Sequence, residues 1–212
     1  SRKQLEKSIE RTKKLMQEAA KKLDFIEAAQ YRDEVLKMEE LLKDRRGNLT
    51  LTNINGLCRI ALDKLKKTYE QDIQEKNIRI VFDNLTLSLM MEVNVEQFSK
   101  VLAGILKNSM YALLKKSETV TFSPEIFLGL KVNKDMLEIT IRDNGSGIDE
   151  NIKDKIFAPF FTTKTTGEAA GVGLYLCREI VQNHRGTIEV ESKKGEYTQF
   201  LITIPVYQPK TI

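Results

Sequence analysis

Residues 143–148 read Asp143-Asn144-Gly145-Ser146-Gly147-Ile148 and directly follow Met136-Leu137-Glu138-Ile139-Thr140-Ile141-Arg142. The earlier stretch alternates apolar and polar with a period of two, the pattern of a strand with one face turned inward. The six residues after it have neither strand nor helix period. They put a carboxylate at a strand end, followed by two glycines that let the backbone turn sharply and approach a flat ligand closely. A carboxylate so placed can accept a hydrogen bond from an adenine amino group, which is a base-specific contact. By itself the pattern is unspecific, because any Asp-Gly turn shares it.

Working outward, Val120 to Val132 reads as a second strand, joined to Met136–Arg142 through the polar turn Asn133-Lys134-Asp135. Asn94 with Gln97 three residues on opens a helix over about Val95 to Lys115. Further upstream Ile78, Ile80 and Phe82 alternate as a strand, another lies near Leu89 to Val93, and a helix runs from about Asn53 to Gln74. Downstream, Gly171 to Asn183 is the final helix, and Thr187–Glu191 with Tyr197–Pro205 form a closing hairpin around Lys194-Gly195. Interleaved elements of this kind predict an α+β fold, a two-layer α/β sandwich.

Gly47 and Asn48 divide the chain into residues 1–46 and 47–212. The first part has no Pro, no Gly, and a helix-rich mixture of Lys, Glu, Ala and Leu. Leu5, Ile9, Leu15, Met16 and Leu23 mark one apolar face. Asp24 followed by Glu27 is a capping-box signal that starts a second helix with Phe25, Ala28, Ala29, Arg32, Val35, Leu36, Met38 (or Glu39) and Leu42 at helical spacing. A helical hairpin alone cannot cover its apolar face, so a dimeric four-helix arrangement through residues 1–46 is expected.

Bulk composition narrows the classes. The hydrophobic fraction of 41% builds one proper core, and 30% charged residues make a soluble surface. No stretch reaches the roughly 18 to 20 apolar residues of a membrane span, and no signal-peptide pattern opens the chain. No membrane contact is expected of it, and a cytoplasmic location follows, including that of the cytoplasmic part of a membrane-bound sensor. The net charge of +4 is a small difference between 34 basic and 30 acidic residues that alternate along helices, so no nucleic acid partner is expected. Cys58 and Cys177 lie in apolar-periodic stretches and read as buried thiols. One histidine in the chain argues against zinc.

Two further elements carry chemistry. Asn108 lies amid Ile105, Leu106, Met110 and Ala112 on a helix, and its carbonyl oxygen suits Mg²⁺, a hard cation that prefers oxygen donors. A capping or surface asparagine is the plainer account of it. Gly171-Val172-Gly173-Leu174 opens a helix whose N-terminal amides and dipole favour phosphate. Before it, Phe157-Ala158-Pro159-Phe160-Phe161-Thr162-Thr163-Lys164-Thr165-Thr166-Gly167 has the hydroxyls, lysine and hinge glycine of a lid over a polyphosphate, or of a plain solvated loop.

In this order, Asn108, DNGSGI, APFFTTK, GVGL and the terminal TQFLITIP strand resemble the catalytic domain of sensor histidine kinases. That domain belongs to the ATPase superfamily shared with Hsp90, DNA gyrase and MutL. The likeness covers about Asn48 to Ile204 and implies a mixed sheet covered on one face by three helices. It implies Mg-ATP as the bound species, with Asn108 on Mg²⁺ and Asp143 on adenine. Gly145 and Gly147 would shape the base pocket, and Thr198 would lie near the adenine. Lys164 and the amides around Gly171 and Gly173 would face the phosphates. Tyr111, Ala112, Ile148, Phe160, Gly167, Val172 and Leu174 complete the implied ATP-binding set. The implied function is phosphoryl transfer in a two-component phosphorelay, with a phosphoacceptor histidine domain and a response regulator as partners.

The chain departs from that family in three places. Gly104 stands where the family has a second asparagine and its hydrolysing relatives a glutamate base, and it offers neither ligand nor base. Ala169 replaces a lid glycine. The one histidine, His184, follows the last helix and reads as part of the fold, so the chain is expected not to autophosphorylate. In place of a histidine-bearing hairpin, residues 15–34 resemble the UVR motif of the bacterial excinuclease, a protein–protein contact hairpin. This pairing reads as a fusion, engineered in preference to natural. The alternative function is a non-catalytic dimerisation or docking module with a vestigial nucleotide site. A repair-associated ATPase, binding DNA in a salt-dependent way, is a third.

Overall fold

The computed structural model describes residues 2–43, 49–164 and 171–206. Two helices, α1 (Arg2–Lys21) and α2 (Phe25–Lys43), form the N-terminal hairpin. The capping signal between them is real: the Glu27 amide donates to Asp24 Oδ1 at 2.9 Å. Leu5, Ile9, Val35 and Met38 are buried and join the core of the second part, which settles the Met38/Glu39 alternative for Met38. Leu23 does not belong to that face. It is 72% exposed and takes the left-handed backbone (φ 60) that turns α1 into α2, so it cannot follow the helical stripe.

The second part runs β1 (Thr50–Asn53), α3 (Ile54–Thr68), α4 (Glu70–Lys76), β2 (Arg79–Asp83), β3 (Met90–Val93), α5 (Val95–Ser117), β4 (Glu125–Asn133), β5 (Met136–Asp143), α6 (Glu150–Lys153), α7 (Gly173–Asn183), β6 (Thr187–Lys193) and β7 (Tyr197–Pro205). The main sheet has the order β2-β4-β5-β7-β6, with β2 parallel to β4 and every other pair antiparallel. It is the expected mixed sheet. α5 lies over it between α3 and α7, and Phe98, Val101, Leu102, Ile105, Leu106, Met110 and Leu113 recur at helical spacing, all fully buried. Among the described residues no helix is long and apolar enough to cross a membrane.

Several expected boundaries move. The helix expected over 53–74 is two helices, broken at Tyr69, whose backbone (φ −114, ψ 29) leaves the helical basin while its ring packs against the core. β1 is an addition to the expected elements, a four-residue strand paired with β3. β4 starts at Glu125 instead of Val120, because the carbonyls of Ser123 and Pro124 are taken by Asn144 Nδ2 and the Arg79 amide outside any β4–β5 pairing. α7 starts at Gly173, since Gly171 has φ +74 and cannot be helical.

Candidate nucleotide site

Alternation along β5 puts Leu137, Ile139, Ile141 and Asp143 on the same inward face, so the last core position of the strand is a carboxylate. The β5–β7 register sets Thr198 directly opposite Asp143. Asp143 is 2% exposed. Burial pushes its carboxyl up to about 6, against the Ser109 hydroxyl dipole, the Gly145 amide and the charge of Lys116, which favour the ionised form. The Gly145 amide donates to Asp143 Oδ1 at 3.0 Å. Ser109 Oγ is buried and lacks a hydrogen bond of good geometry, so its influence on Asp143 is that of a nearby dipole.

The loop after Asp143 is strapped on three sides. Asn144 Oδ1 accepts from the Glu125 amide, its Nδ2 donates to Ser123 O, and its carbonyl accepts from Lys116 Nζ, each at 2.8 Å. The Ser146 amide donates to Ala112 O on α5 at 3.2 Å, and the Gly195 amide to Ser146 O at 2.7 Å. The Ile148 amide donates to Ser192 Oγ at 2.8 Å, and Ser192 Oγ lies 3.2 Å from Thr198 Oγ1. The two glycines are required by close packing. A Cβ at Gly145 would meet Ala112 Cβ at 2.7 Å, and one at Gly147 (φ +64) would strike the Lys193 carbonyl.

Asn108, Tyr111 and Ala112 share one side of α5, at spacings that place them on adjacent turns. Lys164 Nζ donates to Asn108 Oδ1 at 3.4 Å and stands 4.3 Å from the Tyr111 ring centroid. The ammonium occupies the place beside that carbonyl oxygen where a metal cation would bind, so the donor suits a hard cation. Among the described residues no group of three or more His, Cys, Asp or Glu side chains comes together. A divalent ion here would complete its shell with phosphate oxygens and water.

Val172 is buried at the start of α7, Leu174 packs on the core, and a Cβ at Gly173 would meet open space. That leaves room for a phosphate at the helix N-terminus. Gly167 and Ala169 lie outside the described residues. Phe160 does not face this space alone: its ring carries the Arg11 guanidinium of α1 at 4.7 Å. Gly104 faces α7, where a Cβ would lie 3.2 Å from Cys177 Sγ. His184 is engaged in the fold. The Asn94 amide donates to its Nε2 at 3.0 Å, so Nδ1 carries the proton and donates to Ile180 O at 2.8 Å. Sequence reasoning passes over Asn144, Ser109 and Ser192. An Asx residue following a strand is the available sign for the first.

The family profile described as histidine kinase-, DNA gyrase B- and HSP90-like ATPase matches residues 94–208, and a UvrB/UvrC motif matches residues 6–41. The chain belongs to that ATPase family. It is 35% identical over 149 residues to cyanobacterial phytochrome A of Nostoc sp., taking in 69% of this chain and 18% of that protein. Sensor histidine kinase ZraS of Salmonella typhi is 28% identical over 172 residues, 81% of this chain and 34% of its own. UvrABC system protein B of Bacteroides fragilis is 78% identical over 45 residues, 21% of this chain and 7% of its own. The chain therefore spans well under half the length of each of these relatives. The catalytic domain of histidine kinase ThkA superposes with a TM-score of 0.61 at 28% identity, over 74% of this chain and 95% of that one.

Proposed function

We propose that the second part of the chain binds Mg-ATP and passes the γ-phosphoryl group to a histidine on another domain. The observation that carries this reading is Asp143. A carboxylate held at the last core position of a strand, beside Thr198 and above two close-packed glycines, is costly unless it recognises something. Ionised, it accepts from the adenine amino group. Asn108 Oδ1 holds the metal, and Lys164 moves from Asn108 to the phosphates. The amides at Gly173 receive phosphate oxygens. Mg²⁺ across the phosphates would supply charge neutralisation during transfer. The residues otherwise position and orient, and none of them forms a covalent bond.

His184 has both ring nitrogens committed, which favours an acceptor histidine outside this chain and a response regulator beyond it. A domain fed by cellular ATP and bearing two free cysteines fits a cytoplasmic setting. Leu23, Phe25, Ile26 and Leu36 of the hairpin are exposed, which supports a homodimer through residues 1–46. The contrast between the two parts in what they resemble supports a fusion. Calorimetry of ATP with and without Mg²⁺, on the chain and on Asp143→Asn, tests the site. Absence of binding, or binding indifferent to the substitution, refutes it. The second reading, a vestigial site, rests on Gly104; labelled phosphate appearing on an added histidine-bearing hairpin eliminates it.

A further inference from the structure

Polar contacts tie each helix of the N-terminal hairpin to the second part. On α2, Glu40 pairs with Lys100 of α5 at 2.7 Å, and Lys100 also pairs with Glu96 at 3.0 Å. On α1, the Arg11 guanidinium lies over the Phe160 ring, 4.7 Å from its centroid. Leu5 and Ile9 of α1 are sunk into the common core. The hairpin is thus fastened to the chain segment that leads to Lys164, not only to the outside of α5.

Phe160 is an unusual residue to find under that cation. Its backbone is left-handed (φ 67), a conformation that an aromatic residue keeps only when its surroundings impose it. One imposing neighbour is Gly171, where a Cβ would lie 2.6 Å from the Phe160 carbonyl carbon and 2.9 Å from that of Phe161. The backbone before Lys164 and the backbone before Gly173 are therefore pressed together at Phe160. Whatever holds the Phe160 ring holds both phosphate-side elements in register. Phe160 itself is partly buried against the core on one side, and Arg11 covers it on the other.

We propose that Arg11 is a positioning residue for the phosphate end of the nucleotide site: the hairpin, through its cation on the Phe160 ring, braces the Phe160–Lys164 segment against Gly171. The inference deepens the nucleotide-binding reading and rests on it for affinity, but the brace itself is a property of the free protein. Two arms separate the two. Hydrogen exchange in the peptide spanning residues 156–164 of the nucleotide-free chain should quicken about two- to fivefold in Arg11→Ala, the span of an exposed cation–π contact. Arg11→Lys should restore most of the protection, and Lys14→Ala, exposed on the same helix, should leave it unchanged. In a Phe160→Leu background Arg11→Ala should have no further effect.

The second arm is affinity. Arg11→Ala should weaken Mg-ATP about two- to fivefold while leaving adenosine binding unchanged, because the brace acts on the phosphate side. Unaltered exchange in Arg11→Ala, additive effects of Arg11→Ala and Phe160→Leu, or equal weakening of ATP and adenosine would each overturn the brace. If the chain takes up no nucleotide at all, the site reading fails, and the exchange arm alone still decides the brace.

Discussion

Replacing Asp143 with asparagine should make the protein more stable at neutral pH while removing nucleotide binding. The carboxyl is raised from 3.8 to about 6, chiefly by burial. At about 1.4 kcal/mol per tenfold change in ionisation, this difference corresponds to about 3 kcal/mol. The direction follows from linkage. An acid whose folded pKa lies above its unfolded value is held in its neutral form, so the fold loses stability as pH rises from about 4 to about 6. Above that the full penalty is present. The substituted amide would carry no charge to bury, its oxygen can still accept from the Gly145 amide, and its nitrogen can donate to the buried Ser109 Oγ. Urea unfolding at pH 7 should show Asp143→Asn more stable by up to about 3 kcal/mol, the gain shrinking towards zero near pH 4. A variant less stable than the parent at pH 7, or a difference that does not change with pH, would refute the burial argument. Nucleotide affinity of the parent should fall about tenfold for each pH unit below about 6, as the ionised form becomes scarce; the asparagine variant should lack that step.

Three other outcomes are expected. Asn144→Ala removes two side-chain hydrogen bonds that tie the loop to the start of β4, and should cost about 1–3 kcal/mol in denaturant unfolding. His184→Ala leaves the Asn94 amide at the head of α5 without its acceptor and opens space beside Phe98; the loss should be about 1–3 kcal/mol, read from the thermal midpoint. Cys58 and Cys177 are buried, with thiols pushed up to about 12. A chromogenic disulfide at pH 8 should therefore label neither until the protein unfolds.

Where a single side chain carries both a local and a tertiary message, the structure is legible in the sequence. Asn94 caps α5 by accepting from the Gln97 amide at 3.0 Å, and Asp24 does the same for α2. The alternation of β5 likewise reveals which face Asp143 occupies. What stays hidden depends on partners far along the chain. β1 exists only because Thr50–Asn53 meets Met90–Val93, and its four residues alone have no legible period. The Lys164–Asn108 contact spans 56 positions through a long flexible side chain. The clasp made by Asn144 depends on where β4 begins. Leu23 misleads because apolar character alone does not reveal a left-handed backbone.

The pairing of Asp143 with Thr198 has a consequence for how the molecule assembles. Strands meet in discrete steps, and a slip of one residue between β5 and β7 would turn Asp143 outward and bring Arg142 towards the core. A ligand that reads Asp143 can then recognise only the sheet that closed in the right alignment. It would add stability to that alignment alone, by mass action. The recognition group thereby doubles as a proofreading mark for folding: a chain with misaligned strands is also a chain blind to its ligand.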